Sequence, residues 1–170
     1  MTTNRRRLRL PVALLALGLC AAGAACNDDG NSEASLVELR PVLAANPPPC
    51  PTKAPKNELV LPKTTDGKQE CLELGKPIVD AEDVRSASVG ETASKEPALS
   101  IVLGKVGGTN LDGFAKANQG KRLAILADGE LVSAPVLNLS SFAGRVQVTG
   151  LSKEKTDDLF RRLNKVIKPG

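Results

Sequence analysis

Apolar and polar residues alternate in several short stretches between residues 35 and 150, a pattern typical of half-buried β-strands. SLVELRPVL (35–43) predicts a first strand, which ANPPPCP ends because prolines cannot donate to a β-ladder. Residues 84–89 predict an irregular strand, and ALSIVLG (98–104) predicts a regular one. The apolar face of that regular strand consists of Leu99, Ile101 and Leu103.

The stretch KRLAILADGELVSAPVL (121–137) alternates on both sides of an Asp-Gly pair. Asp128 and Gly129 tolerate the positive φ angles of a type I′ turn, so the pattern predicts a β-hairpin. Pro135 in the return strand indicates an edge strand or a bulge, because its nitrogen cannot donate a hydrogen bond. GRVQVTG (144–150) predicts the last strand.

Helical spacing of apolar residues predicts a first helix that is capped by Thr109 or Asn110 and ends at Gly120. Its inward positions are Leu111, Phe114, Ala115 and Ala117. The preceding GKVGGTN (104–110) lacks the GxxxxGK[ST] spacing of a phosphate loop, so it predicts a mobile connection and no nucleotide cofactor.

A second helix is predicted from Lys153 to about Ile167, with Ser152 as its N-cap. Its apolar stripe consists of Leu159, Phe160, Leu163, Val166 and Ile167. Strand, helix, hairpin, strand and helix in this order predict an α+β, ferredoxin-like sandwich over residues 81–168, with two helices on one face of an antiparallel sheet. Residues 35–80 are predicted to form an extended segment before it.

The N-terminus has the order of a secretory signal: an arginine cluster, an apolar run and small residues. Residues 1–25 are therefore predicted to be a signal peptide, and the polar stretch 26–34 a flexible tether. Gly23-Ala24-Ala25-Cys26 resembles the lipobox of bacterial lipoproteins, which implies acylation of Cys26, although the family usually has Leu where Gly23 stands. Ordinary signal-peptidase cleavage at the Ala-x-Ala-like site, which would give a secreted protein, stays open.

The charge of the chain belongs to this signal. Removing residues 1–25 takes away four of the 23 Lys and Arg residues and no acid, which leaves 19 basic residues against 19 Asp and Glu. A neutral mature chain gives no electrostatic reason to expect nucleic acid or anionic lipid as a partner.

Cys50 and Cys71 form an even pair in a chain predicted to be exported, which favours a disulfide. The chain contains no His, so a zinc site would have to recruit carboxylates, and we expect no metal. A disulfide here would close a segment that is rich in Pro, Lys and polar residues and has little apolar surface of its own.

An enzyme is the least favoured class. Without His, a Ser or Cys nucleophile lacks its usual base. Ser133, Ser140 and Ser141 lie in turn or strand-end contexts, where a structural hydroxyl is the better interpretation. We expect no catalytic residue.

GKRLAILADGELVSAPVLNLSSFAGRVQVTG resembles the head subdomain of the first periplasmic domain of SecD, an accessory of the bacterial preprotein translocase. LVELRPVL and CLELGKPIVDAEDVRSA are similar to the part of SecD just upstream, so the resemblance covers most of residues 35–166. It implies the fold and a role in contacting emerging preprotein. It does not transfer the motor function of SecD, which depends on transmembrane helices.

The resemblance and the hairpin together favour a binding protein on the outer face of the cytoplasmic membrane, held there by lipid. An open sheet edge can pair with an extended peptide through main-chain hydrogen bonds. The possible docking edge comprises Ser133, Ala134, Pro135 and Asn138. The partner would be unfolded or exported polypeptide, or a translocon component. A cell-envelope structural protein that kept the fold and changed its partner remains the alternative.

Overall fold

A computed structural model describes residues 35–51, 59–65 and 67–167. The predicted signal peptide, Cys26 and the predicted tether lie outside the described residues. The strands in chain order are β1 (Val37–Asn46), β2 (Leu59–Thr65), β3 (Lys68–Leu74), β4 (Val84–Glu91), β5 (Pro97–Leu103), β6 (Leu123–Ala127), β7 (Glu130–Ser133) and β8 (Arg145–Thr149). The α-helices are α1 (Lys105–Ala117) and α2 (Lys153–Val166), and a short 3₁₀ turn spans Ala81–Asp83.

The strands form two sheets in which every pairing is antiparallel. One sheet has the order β2-β3-β1-β6-β7 and the other the order β4-β5-β8. The α+β class, the antiparallel pairing, the two helices and the disulfide-closed segment are confirmed. The structure adds that the strands divide between two sheets, and that the segment upstream of residue 81 supplies three strands of the larger one.

The main core lies where the helices meet the β4-β5-β8 sheet. Leu111 of α1 and Leu159 and Leu163 of α2 are buried together with the predicted inner face of β5. Strands β1 and β6 contribute their own apolar residues to this cluster. All five residues of β6 are buried, which is expected of a strand covered on both faces.

A smaller core lies within the five-stranded sheet. It consists of Leu72, Leu74, Ala124, Leu126 and Ala134. The edge strands β2 and β7 contact each other, although they lie at opposite ends of the strand order. The sheet is therefore strongly curved around this cluster.

The start of α1 corrects the sequence-based prediction. The helix begins at Lys105, with Gly104 as N-cap, so GKVGGTN forms its first turns. A Cβ at Gly107 would lie 2.7 Å from the Cβ of Asp83, and a Cβ at Gly108 would lie 3.3 Å from the Cα of Gly144. These two glycines thus permit α1 to pack closely against neighbouring parts of the chain. Helix propensity, which depends on local sequence alone, does not predict this.

The second helix begins as predicted, because Ser152 accepts a hydrogen bond from the amide of Lys155 at 3.3 Å. Its stripe differs at two positions. Val166 is exposed, and the unpredicted Thr156 is buried, with its hydroxyl donating to the carbonyl of Ser152 at 2.9 Å. A polar residue is tolerated in the core here because the preceding turn satisfies its hydroxyl.

The predicted hairpin and disulfide are confirmed. Asp128 and Gly129 have φ angles of +53° and +74° and connect β6 to β7. Cys50, which follows β1, is linked to Cys71 of β3, with 5.3 Å between their Cα atoms.

Candidate functional site

The predicted docking edge begins at the end of β7 and continues into the loop towards β8. Ser133 pairs with Ile125 of β6, and the register shifts between this pair and the preceding pair of Leu131 with Leu126, on the side of the turn. Pro135 and Asn138 are exposed, whereas Ala134 is only 6% exposed and packs in the smaller core. A partner here would meet the side chains of Pro135 and Asn138 and not that of Ala134.

Beyond the register shift, the chain from Ala134 to Asn138 still pairs with the residues before β6. The amide of Leu123 donates to the carbonyl of Pro135 at 3.0 Å, and the amide of Leu137 donates to the carbonyl of Lys121 at 2.7 Å. Arg122 and Val136 form a bridge between these two bonds. We call residues 134–138 the docking segment; it is an irregular extension of an edge strand.

An apolar groove of about 260 Å³ lies beside the docking segment. Its lining comprises Leu39, Leu123, Ile125, Pro135, Val136, Leu137, Asn138, Leu139, Phe142 and Val146. Val136 and Leu139 are 49% and 59% exposed, so they add exposed apolar surface at the groove. The groove is suited to an apolar side chain because its lining is almost entirely apolar. The backbone edge beside the groove could orient the extended chain that carries this side chain.

Asp112 of α1 holds the far wall of the groove. Its carboxylate accepts hydrogen bonds from the amide of Phe142 at 2.7 Å and from the hydroxyl of Ser141 at 2.8 Å. These bonds hold the pKa of Asp112 below its usual range, and the bond from the Phe142 amide has the largest effect. The carboxylate thereby fixes Phe142 against the groove.

Arg122 holds the near wall. Its guanidinium donates from Nη1 and Nη2 to both carboxylate oxygens of Glu70, at 3.0 and 2.8 Å, and from Nε to the carbonyl of Ala134 at 3.1 Å. The hydrogen bond from Arg122 lowers the pKa of Glu70. Lys63 of β2 pairs with Glu70 of β3. Burial is the main cause that lowers the pKa of Lys63, and the positive charge of Arg122 is the next.

The sequence-based prediction of a docking edge named Ser133, Ala134, Pro135 and Asn138, but it did not include Glu70, Asp112, Arg122, Leu139 or Phe142. The available signal was the apolar pair Leu139 and Phe142 within the otherwise polar connection NLSSFAG. No local pattern indicates that Asp112 contacts Phe142 or that Glu70 contacts Arg122, because the partners in each pair lie more than 25 residues apart in the sequence.

Within residues 35–51, 59–65 and 67–167, no three acidic, Cys or His side chains lie close enough together to hold a metal ion. The helices described in that same part of the chain include none of the length and apolar character that a bilayer crossing requires.

The SecDF P1 head subdomain family matches residues 58–165. This range contains part of α2 and all of α1, the docking segment and residues 138–144, which carry Leu139 and Phe142 and which we call the groove loop. The chain belongs to this family. The resemblance that the hairpin and its flanking residues indicated is therefore confirmed, and the docking segment lies inside the SecDF head subdomain.

Two relatives are protein translocase subunits by name. The chain is 35% identical over 91 residues to the protein translocase subunit SecD of Aquifex aeolicus, a match that covers 54% of this chain and 18% of that protein. It is 30% identical over 80 residues to the protein translocase subunit SecDF of Thermus thermophilus, which covers 47% and 11% of the two chains. The chain thus spans less than a fifth of either relative.

Solved structures show the same fold. A structure of SecDF, described as a membrane component that enhances protein export, superposes with a TM-score of 0.57 and 19% identity, over 81% of this chain and 66% of that one. SecDF in a super-membrane-facing form gives a TM-score of 0.54 and 21% identity, over 81% of this chain and 19% of that one.

Proposed function

We propose that this SecD-type head domain is a non-enzymatic, extracytoplasmic binding module that holds an extended, apolar stretch of exported polypeptide at the docking segment. The observation that supports this function is the coincidence of an edge-strand extension with an apolar groove, both within the SecDF head region. Relatives named as translocase subunits make a polypeptide in transit the favoured partner.

The geometry suits a ligand of low sequence specificity. Main-chain hydrogen bonds along an edge are independent of side-chain identity, and alternate side chains of an extended peptide point to the same face. One of them would enter the groove between Leu137 and Phe142, while Val136 and Leu139 cover the next. Polypeptides that differ in sequence but contain apolar residues could bind in the same way.

The function also requires export. Residues 1–25 act in this proposal as the signal peptide and Cys26 as the acylated residue that holds the protein at the outer face of the cytoplasmic membrane. A lipid chain contributes about 0.8 kcal/mol for each buried CH₂ group. Cys26→Ala should therefore move the protein from the membrane fraction to the soluble extracytoplasmic fraction. Unchanged membrane association of the variant would contradict lipid anchoring.

Binding is tested by titrating the isotope-labelled full-length protein with an unfolded apolar peptide while backbone amide shifts are recorded. We expect the amides of Val136, Leu137 and Asn138 to shift first. Asn138→Lys, at an exposed position, should weaken the response with almost no change in melting temperature, since a charge beside an apolar ligand costs desolvation. Ser133→Lys, at a half-buried position of β7, should weaken the response as well. Asn164→Lys, on the exposed face of α2, makes the same chemical change away from the groove and should bind as wild type.

The outcomes separate the hypotheses. Shifts elsewhere, with none at residues 133–138, would place the binding site outside the docking segment. No shift at millimolar peptide would favour the cell-envelope alternative, in which the fold serves another partner. Retention of a translocon component by the immobilised wild-type protein but not by Asn138→Lys would assign that component to the docking segment instead of a polypeptide in transit.

A further inference from the structure

Arg122 stands at a junction of three parts of the chain. Its backbone carbonyl accepts from the amide of Val42 in β1 at 3.2 Å, and its guanidinium contacts both Glu70 of β3 and the carbonyl of Ala134. The side chains of Arg122 and Glu70 are 25% and 29% exposed, so the pair is largely removed from water. Ion pairs of this kind are screened less than those on an open surface.

Glu70 links this junction to the disulfide. It directly precedes Cys71, which is fully buried and bonded to Cys50. The β2–β3 hairpin is thus fixed to the end of β1 next to the carboxylate that receives Arg122. Lys63 of β2 lies across from Glu70 in the register and adds a second positive charge beside it.

Arg122 also contacts the docking segment, through the hydrogen bond from its Nε to the carbonyl of Ala134. Ala134 precedes Pro135, whose ring begins the groove wall and whose nitrogen has no hydrogen to donate. Arg122 Nε therefore fixes the docking segment at its first residue, where proline leaves the backbone with fewer bonds to hold its position. The amide of Leu137 fixes the other end.

We infer that Arg122 is the positioning residue of the docking segment, and that it transmits the position of the disulfide-closed β2–β3 hairpin to the groove through Glu70. This inference rests on the proposed function for its role in binding, but its structural part can be measured without a ligand. Arginine suits this position because its planar fork bonds both oxygens of a carboxylate and still presents Nε to a third acceptor. Lysine, with one ammonium group, cannot reproduce that geometry.

The test is amide hydrogen exchange in the full-length protein, with Arg122→Lys as the principal variant. The reporters are the amides of Leu123 and Leu137, which bond across the docking segment. We expect their exchange to become about tenfold faster, since hydrogen bonds to charged groups are among the stronger ones in proteins. Amides of Ile101 and Val148, in the β4-β5-β8 sheet, should keep their rates.

Two further variants control the experiment. Arg161→Lys changes the same chemical group in an exposed pair with Asp158 on α2 and should leave both sets of amides unchanged. Glu70→Gln removes the charge but keeps the shape of the acceptor, so it should accelerate Leu123 and Leu137 by a smaller factor. It also provides a second test if Arg122→Lys does not fold.

Exchange that stays at the wild-type rate for Leu123 and Leu137 in both variants would overturn the inference. Equal acceleration of all amides would overturn it as well, because that result indicates global destabilisation. With an unfolded apolar peptide as probe, Arg122→Lys should bind several-fold more weakly than Arg161→Lys, and equal binding would contradict a positioning role. A wild-type protein that binds no peptide would reject the proposed function, while the exchange rates would still decide whether Arg122 positions the segment.

Discussion

The helix-covered β4-β5-β8 sheet and the β2–β3 hairpin are stabilised in different ways. The larger core, to which the sheet and both helices contribute, contains sixteen buried residues, and the smaller core, to which the hairpin contributes, contains five. The hairpin is also joined to neighbouring parts of the chain by the Cys50–Cys71 disulfide and by the pair of Glu70 with Arg122. Because the hairpin buries little apolar surface, a disulfide and a half-buried ion pair supply much of the stabilisation that a larger apolar core would otherwise give it.

The candidate site lies between these two regions and includes residues of both cores. Leu123, Ile125 and Leu137 of the groove belong to the larger core, whereas Ala134, at the start of the docking segment, belongs to the smaller one. The apolar core should keep the groove in place, while the cross-linked hairpin should determine how firmly its rim is held. Four changes test this division.

The largest expected effect is that of Leu163→Ala in α2. Leu163 is fully buried in the larger core, so its truncation should lower the free energy of unfolding by about 2–5 kcal/mol. Val166→Ala, one turn later on the exposed side of the same helix, should change it far less. Chemical denaturation of the two variants measures the difference. Equal losses would mean that α2 is not a main support of the fold.

Removal of the disulfide should have the next largest effect. The bond closes a loop with a sequence separation of 21, which corresponds to roughly 3 kcal/mol in the chain-entropy model. Replacing both cysteines by Ser should lower the melting temperature and accelerate amide exchange in β2 and β3 before it affects β5 and β8. Reductant should lower the melting temperature of the wild type and leave that of the double variant unchanged. Uniform exchange across both sheets would contradict the division.

Gly129→Val tests the hairpin that joins the two cores. Gly129 has a φ of +74°, which costs a residue with a side chain about 1–2 kcal/mol and a β-branched one more. Thermal unfolding should detect the loss. Gly113→Ala is the matched control, because its Cβ would meet no atom within 4 Å and alanine favours a helix. It should be neutral or stabilising, and a loss as large as that of Gly129→Val would refute the turn argument.

The smallest effect is expected from Asp112, and it depends on pH. Its folded pKa lies below the unfolded one, so the carboxylate stabilises the groove loop above the ordinary carboxyl range and loses this effect as pH falls through the folded value. The protection factors of the Phe142 and Ala143 amides, which correct for the pH dependence of intrinsic exchange, should fall on acidification relative to those of reporters in β5. Asp112→Asn should remove most of this pH dependence, and Asp157→Asn, in an exposed pair on α2, should retain it. An unchanged pH profile in Asp112→Asn would exclude Asp112 as its source.

Local patterns were sufficient for much of the secondary structure. Alternation located β5, the Asp128-Gly129 pair located the hairpin turn, and Ser152 located the start of α2, because each signal lies within a few residues of the structure that it specifies. The disulfide followed from the even pair of cysteines in a chain with a predicted export signal. The family resemblance of the hairpin region was also present in the sequence itself.

Features that depend on distant residues required the tertiary structure. The start of α1 was misplaced because Gly107 and Gly108 are explained by their close approach to Asp83 and Gly144, and not by helix propensity. The division of the strands into two sheets, the groove and the contacts of Arg122 and Asp112 likewise join segments that lie far apart in the sequence. The sequence by itself determined β5, the turn between β6 and β7 and the start of α2, because the energies that specify them are local. The surface proposed for binding was decided only by packing, which brought Arg122 to Glu70 and to the carbonyl of Ala134, and Asp112 to Phe142, since these interactions depend on distance in space.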